Sequence, residues 1–162
     1  MSTAIVWFRN DLRLHDHEAL SKASENHDQV IPFYCFEEKQ FEKTAFGFEK
    51  TGSFRAQFLI ESVANLRKNL QALGSDLVVR TGNTAVEIGG LATKVKAEVI
   101  YAFKAIHDEE IQIQQSVENN FVGELNYSFG STLFHVNDLP HAFEDTPKVF
   151  TDFRKGVEKN LK

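Results

Sequence analysis

Two hydrophobic periods alternate along the chain. Short apolar runs rich in β-branched and aromatic residues, at 4–8, 30–36, 77–80, 98–103 and 125–129, read as buried strands. Between them the apolar positions fall three and four apart. Ala19, Leu20 and Ala23 mark a helix over 16–26 that Asn26-His27-Asp28 stops. The clearest helix covers 53–73, with Phe54, Phe58, Leu59, Val63, Leu66, Leu70 and Leu73 on one stripe and Gly74 as its stop. Asn83 or Thr84 caps a third helix that runs to about 96 and carries Val86, Ile88, Leu91 and Val95. The turn 104–110 opens a fourth that reaches about 121, and its early acids suit the positive end of a helix dipole.

Strands that alternate with helices predict a five-stranded parallel sheet, order 3-2-1-4-5, with helices on both faces, a Rossmann-like α/β fold with right-handed crossovers. In that order the first strand is central. A switch point lies between strands one and four, so the turns at 9–13 and 107–110 face each other across one crevice at the carboxyl edge. Arg9, Asn10, Asp11 and Arg13 are then either ligand-facing or, like many charged turns, engaged with each other and nearby backbone. Pro32 lacks a donor, so either it faces no partner or its strand pairs properly beyond it. Gly89-Gly90 weakens the third helix by roughly 1 kcal/mol per residue relative to alanine and suggests a close packing contact. It follows a helical stretch and is no phosphate loop. The charged segment 37–50 holds Phe41, Phe46 and Phe48, either packed down or forming an aromatic lip over a ligand.

Beyond 130 the alternation stops. Residues 133–140 read as extended chain ending in a turn, and 148–162 as a helix with only Val149, Phe150, Phe153, Val157 and Leu161 on its apolar side. The predicted organisation is an α/β domain at 1–130 and, at 131–162, a linker with a docking helix.

Composition narrows the function. With 162 residues and 42% apolar content the α/β part fits one domain. A net charge of −5 argues against a nucleic-acid surface of its own, because phosphate recognition rests on clustered Lys and Arg. The single cysteine, Cys35, lies in an apolar run, so no disulfide framework or thiolate metal site is expected. No apolar run approaches the ~20 residues that span a bilayer, and a cytoplasmic, reducing setting is the natural expectation. Gly-x-Gly-x-x-Gly after a strand, Gly-Lys-Ser/Thr, Gly-x-Ser-x-Gly and His-Glu-x-x-His are all missing. His15 and His17, beside Asp16 and Glu18, are two apart and diverge on strand or helix, which argues against a metal site.

Three stretches in order resemble the photolyase/cryptochrome family, and its DASH-type cryptochromes in particular. They are Ile5-Val6-Trp7-Phe8-Arg9-Asn10-Asp11-Leu12-Arg13-Leu14-His15-Asp16-His17, the run 46–63 with Leu66-Arg67 and Asp76-Leu77-Val78-Val79-Arg80, and Asp138-Leu139-Pro140 with 149–158. The resemblance implies the amino-terminal α/β domain of a deoxyribodipyrimidine photolyase. Family members repair cyclobutane pyrimidine dimers by light-driven electron transfer from reduced FAD, and this domain can hold an antenna, usually 5,10-methenyltetrahydrofolate. It also implies that FAD and DNA belong to a carboxyl-terminal helical domain beyond residue 162, so that this chain alone has no catalytic residues. A chain that stops there is expected to be a fragment, to bind folate weakly, and to self-associate through the face left open. In the family a carboxylate after the fourth strand hydrogen-bonds the pterin. Here the matching turn is His107-Asp108-Glu109-Glu110, with Glu109 the first choice and Asp108 the second. A pterin edge offers two adjacent N–H donors that one carboxylate accepts together. Phe33, Phe36, Phe46 and Phe48 are expected to line the rest of the crevice, while Arg9, Asp11, Arg13, Phe153 and Arg154 face the helical domain. The rival readings are a free-standing nucleotide- or folate-binding module and a pure interaction domain.

Overall fold

The computed structural model describes residues 2–130 and 132–160. β1 (Thr3–Phe8) is buried along its full length, as expected of a strand with neighbours on both edges and helices on both faces. The sheet runs β3-β2-β1-β4-β5, with β2 (Gln29–Glu37), β3 (Val78–Gly82), β4 (Val99–Phe103) and β5 (Glu124–Ser128), and all four pairings are parallel. Strand order and fold class agree with the sequence reading. Pro32 pairs in register with Val6, and β3 joins β2 from Phe33 onward, so the pairing with β3 begins beyond the proline.

Alternate residues of each strand feed two cores. Ala4, Val6, Phe8, Tyr34 and Tyr101 face α1 (Glu18–Asn26) and α2 (Ser53–Ala72). Ile5, Trp7, Phe33, Cys35 and Ile100 face α3 (Thr84–Val95) and α4 (Asp108–Asn120). Each large side chain removed from water in these layers contributes roughly 1.5–3 kcal/mol. On α3, a Cβ on Gly89 would stand 3.4 Å from the Asn120 carbonyl, whereas Gly90 faces open space, so the expected close contact belongs to Gly89.

The structure corrects three local expectations. α1 starts at Glu18, not Asp16, because Asp16 takes a left-handed φ of 50° and His17 caps the helix by accepting from Leu20 N. The stripe on α2 is buried only in its middle: Val63, Leu66 and Leu70 are inside, while Phe54, Phe58 and Leu73 are 89%, 71% and 73% exposed. At 1.5 Å per residue this 20-residue helix is much longer than the five-residue β3, and its two ends leave their apolar residues in water. The extended stretch 133–140 contains a 3-10 turn, Val136–Asp138, capped by His135.

The chain divides into two compact units, Met1–Ser128 and Phe129–Lys162, two residues before the boundary read from sequence. Within the second unit, α5 (Phe150–Asn160) sets Phe153 against Phe134, His141 and Phe150 at 6.0–6.5 Å between ring centres. Arg154 pairs with Glu158 one turn on, at 3.6 Å. Leu161, assigned to this helix from sequence, lies outside the described residues. Among the described residues no helix is long and apolar enough to cross a membrane.

Candidate binding crevice

At the carboxyl edge, the turn after β1 reaches the first turn of α4. The Arg9 guanidinium lies over the Trp7 ring at 4.7 Å and donates to the Glu110 carbonyl at 3.0 Å, and Asn10 Nδ2 donates to Glu110 Oε1 at 2.5 Å. Burial lowers the Arg9 pKa, with Glu110 and Asp11 opposing it. The two turns thus meet across the switch point, as strand order requires.

Asp11 is 9% exposed. Its Oδ1 accepts from Arg9 N at 2.7 Å, and its Oδ2 stands 2.8 Å from His17 Nε2, a close polar contact whose angle falls short of good hydrogen-bond geometry. His17 Nδ1 accepts from Leu20 N, so the ring proton sits on Nε2 toward Asp11. Phe8 and Phe103 close over the imidazole at 4.7 and 5.0 Å. His17 is therefore engaged inside the fold, while His15 is exposed. Arg13 is exposed, lies over Phe103 at 5.6 Å and donates to Asp16 O at 3.1 Å.

The loop after β2 folds back as a small hairpin. Lys43 bridges Glu49, Thr44 N donates to Phe48 O at 2.7 Å, and Gly47 turns the chain at φ 87°, a conformation that favours glycine. Phe46 and Phe48 stack with centres 6.2 Å apart and are 86% and 61% exposed, the geometry of a lip. Phe36 packs edge-on to Tyr34 at 5.0 Å and lies 6.3 Å from Phe41. Phe33, expected on the crevice wall, is fully buried in the core under α3 and α4 and is not among the residues that line the hollows described below.

Among the described residues, hollows open along this edge. One of about 540 Å³ is lined by Phe48, Lys50, Arg55, His107, Asp108 and Glu109, among others, and so brings four of the sequence-selected residues together. Its volume lies within the range of small-molecule sites. Lys50 Nζ reaches Glu109 Oε1 at 2.8 Å across it, and the Glu109 side chain is 70% exposed. Lys50 was visible in sequence as part of a motif, but nothing there paired it with a residue 59 positions away. Deeper in lie cavities of about 200 and 190 Å³, both walled by Glu37, which sequence reasoning passed over.

Cys35, beside the first of these, is buried, and desolvation pushes its thiol up to about 11. A charged-disulfide thiol reagent at neutral pH is therefore expected to leave the folded chain unlabelled and to titrate one thiol after denaturation. Rapid native labelling would show that the β2 edge opens.

Residues 4–162 match the DNA photolyase family. The chain belongs to that family. It is 45% identical over 159 residues to the blue-light photoreceptor PHR2 of Arabidopsis thaliana, covering 96% of this chain and 36% of that one. It is 44% identical over 162 residues to cryptochrome DASH of Gloeobacter violaceus, covering 98% and 32%. The crystal structure of a Synechocystis cryptochrome superposes with a TM-score of 0.93 at 40% identity, over 98% of this chain and 34% of that one. An archaeal photolyase from Sulfolobus tokodaii, described with two FAD molecules and a novel light-harvesting cofactor, matches with a TM-score of 0.73 at 25% identity, over 99% and 35%. The chain spans about a third of the length of the curated relatives it matches. Within the photolyase family it corresponds to the amino-terminal α/β domain, as the sequence motifs suggested.

Proposed function

We propose that this chain is the antenna-holding domain of a DASH-type cryptochrome, and that the wide hollow between the Phe48 lip and the α4 turn takes 5,10-methenyltetrahydrofolate. The observation that carries this is the convergence of Phe48, His107, Asp108 and Glu109 on one hollow of about 540 Å³. The residues fit the group: an exposed carboxylate accepts the paired N–H donors of a pterin edge, and an aromatic face covers the ring. Bound folate supplies near-ultraviolet absorption and passes the excitation to a flavin. Glu109 orients the ring, and Lys50 must release Glu109 as the pterin arrives. Because Lys50 and Glu109 are both partly in water, that pair is weak and yields readily.

In this reading the flavin and the damaged DNA, a cyclobutane pyrimidine dimer, belong to a helical domain docked on the crevice side. Support comes from Phe46, Phe54 and Phe58, large apolar groups left exposed at this end of the first unit. Arg9 and Arg13 lie along the same edge, whereas Asp11 is too buried to offer more than support. The unit Phe129–Lys162 then serves as linker and docking helix, with Phe153 and Arg154 as contacts. Without the helical domain, the exposed apolar groups would drive self-association.

Titrating methenyltetrahydrofolate into the chain while following its near-ultraviolet band tests the site. Glu109→Gln replaces one acceptor oxygen with a donor and is expected to weaken binding about tenfold, the size of one charge-assisted hydrogen bond. Unchanged affinity would remove Glu109 from the site.

A further inference from the structure

We propose that Glu37 is a specificity residue of the inner crevice, a buried carboxylate that keeps phosphate-bearing ligands out. In open α/β sheets the helix amino termini at the carboxyl edge are ready anion sites, because their first amides lack intrahelical partners. The terminus of α3 is closed by the chain itself. Glu37 Oε2 accepts from Thr84 N at 2.9 Å, and Asn83 Oδ1 accepts from Ala85 N at 3.0 Å and Val86 N at 3.2 Å. Glu37 thus stands where a phosphate oxygen would otherwise sit.

A structural cap would account for one oxygen of Glu37. Its other oxygen, Oε1, is buried with no hydrogen-bond partner, although the residue is only 5% exposed and borders both inner cavities. A buried acceptor without a donor is costly, and a ligand relieves it by offering N–H or O–H and aggravates it by offering a second anion. The surroundings reinforce this preference. Glu110 lines the α4 side of the first cavity and Glu109 that of the second. Of the two lysines at the rim of the second cavity, Lys50 is held by Glu109 and Lys39 is exposed. The first cavity carries Arg9, whose guanidinium is engaged by the Glu110 carbonyl and the Trp7 ring, and the exposed Arg55, so an anion drawn in by lysine or arginine still meets the Glu37 carboxylate at the inner wall. The inner crevice therefore admits neutral, donor-bearing ligands and refuses nucleoside diphosphates. This rests on the reading that the carboxyl edge holds a chromophore, and it adds a selection that Glu109 does not make.

The test uses ADP on the full chain, with calorimetry for affinity and backbone amide spectra for location. Glu37→Gln keeps an acceptor for Thr84 N and removes the charge, and it is expected to bind ADP at least about tenfold more tightly than the wild type. The Thr84, Ala85 and Val86 amides should shift on binding. Glu37→Asp keeps the charge and should still refuse ADP. Wild-type binding as tight as that of Glu37→Gln, or no gain in Glu37→Gln, overturns the proposal. Should Glu37→Gln not fold, the wild type decides alone. Millimolar inorganic phosphate must leave the Thr84, Ala85 and Val86 amides unmoved, and a saturating shift there overturns it. Methenyltetrahydrofolate, titrated in parallel, separates this outcome from the Glu109 reading: loss of folate binding to the wild type sinks that reading, while the ADP comparison stands by itself.

Discussion

Asp11→Ala is expected to lower the unfolding free energy of the chain by about 2 kcal/mol, a shift in melting temperature on the order of 4–8 °C for a domain of this size. The magnitude follows from what the carboxylate holds. Without it the His17 Nε2–H, on a side chain with no solvent exposure, loses the carboxylate oxygen 2.8 Å away, a poorly angled polar contact whose loss costs roughly 1 kcal/mol. The Arg9 amide loses its acceptor as well, at about 1 kcal/mol more. Asp11→Asn retains an acceptor for one of the two and should fall between. Urea melts of the three proteins provide the comparison. A loss under about 0.5 kcal/mol in Asp11→Ala would be the response of a surface charge and would reject the anchoring role.

That residue also marks the limit of what the sequence discloses. The turn 9–13 was placed correctly at the carboxyl edge, because strand periodicity and order are set by the chain's own pattern. Whether Asp11 faces a ligand, a neighbouring domain or the interior depends on its partner. That partner, His17, lies six residues on beyond a left-handed Asp16, where no helical or strand spacing brings side chains together. Glu37 was missed for a related reason. It ends an apolar strand, a position where acids usually face water, and its partner amide is 47 residues away. The exposed ends of α2 show the converse limit. The stripe of Phe54, Phe58 and Leu73 has correct helical spacing, but spacing alone does not tell which of its residues a neighbour covers.

The aromatic residues chosen for the crevice divide sharply, and paired substitutions are expected to separate them. Phe33→Ala should cost about 3–5 kcal/mol, since the ring is fully buried against the α3 and α4 layer and its removal leaves a cavity in a packed core. Phe48→Ala, at a ring 61% exposed on the hairpin, should change stability by less than about 0.5 kcal/mol. Folate affinity should show the reverse order, weakened severalfold by Phe48→Ala and unchanged in Phe33→Ala under conditions where it remains folded. An unbroken apolar run such as 30–36 conceals this difference, because a strand covered on both faces shows no alternation from which to assign sides. The pleat supplies it: Phe33 and Cys35 point to one core, Tyr34 and Phe36 to the other. A stable Phe33→Ala variant with impaired folate binding would return Phe33 to the crevice wall and displace the hollow at Glu109 as the place where the antenna sits.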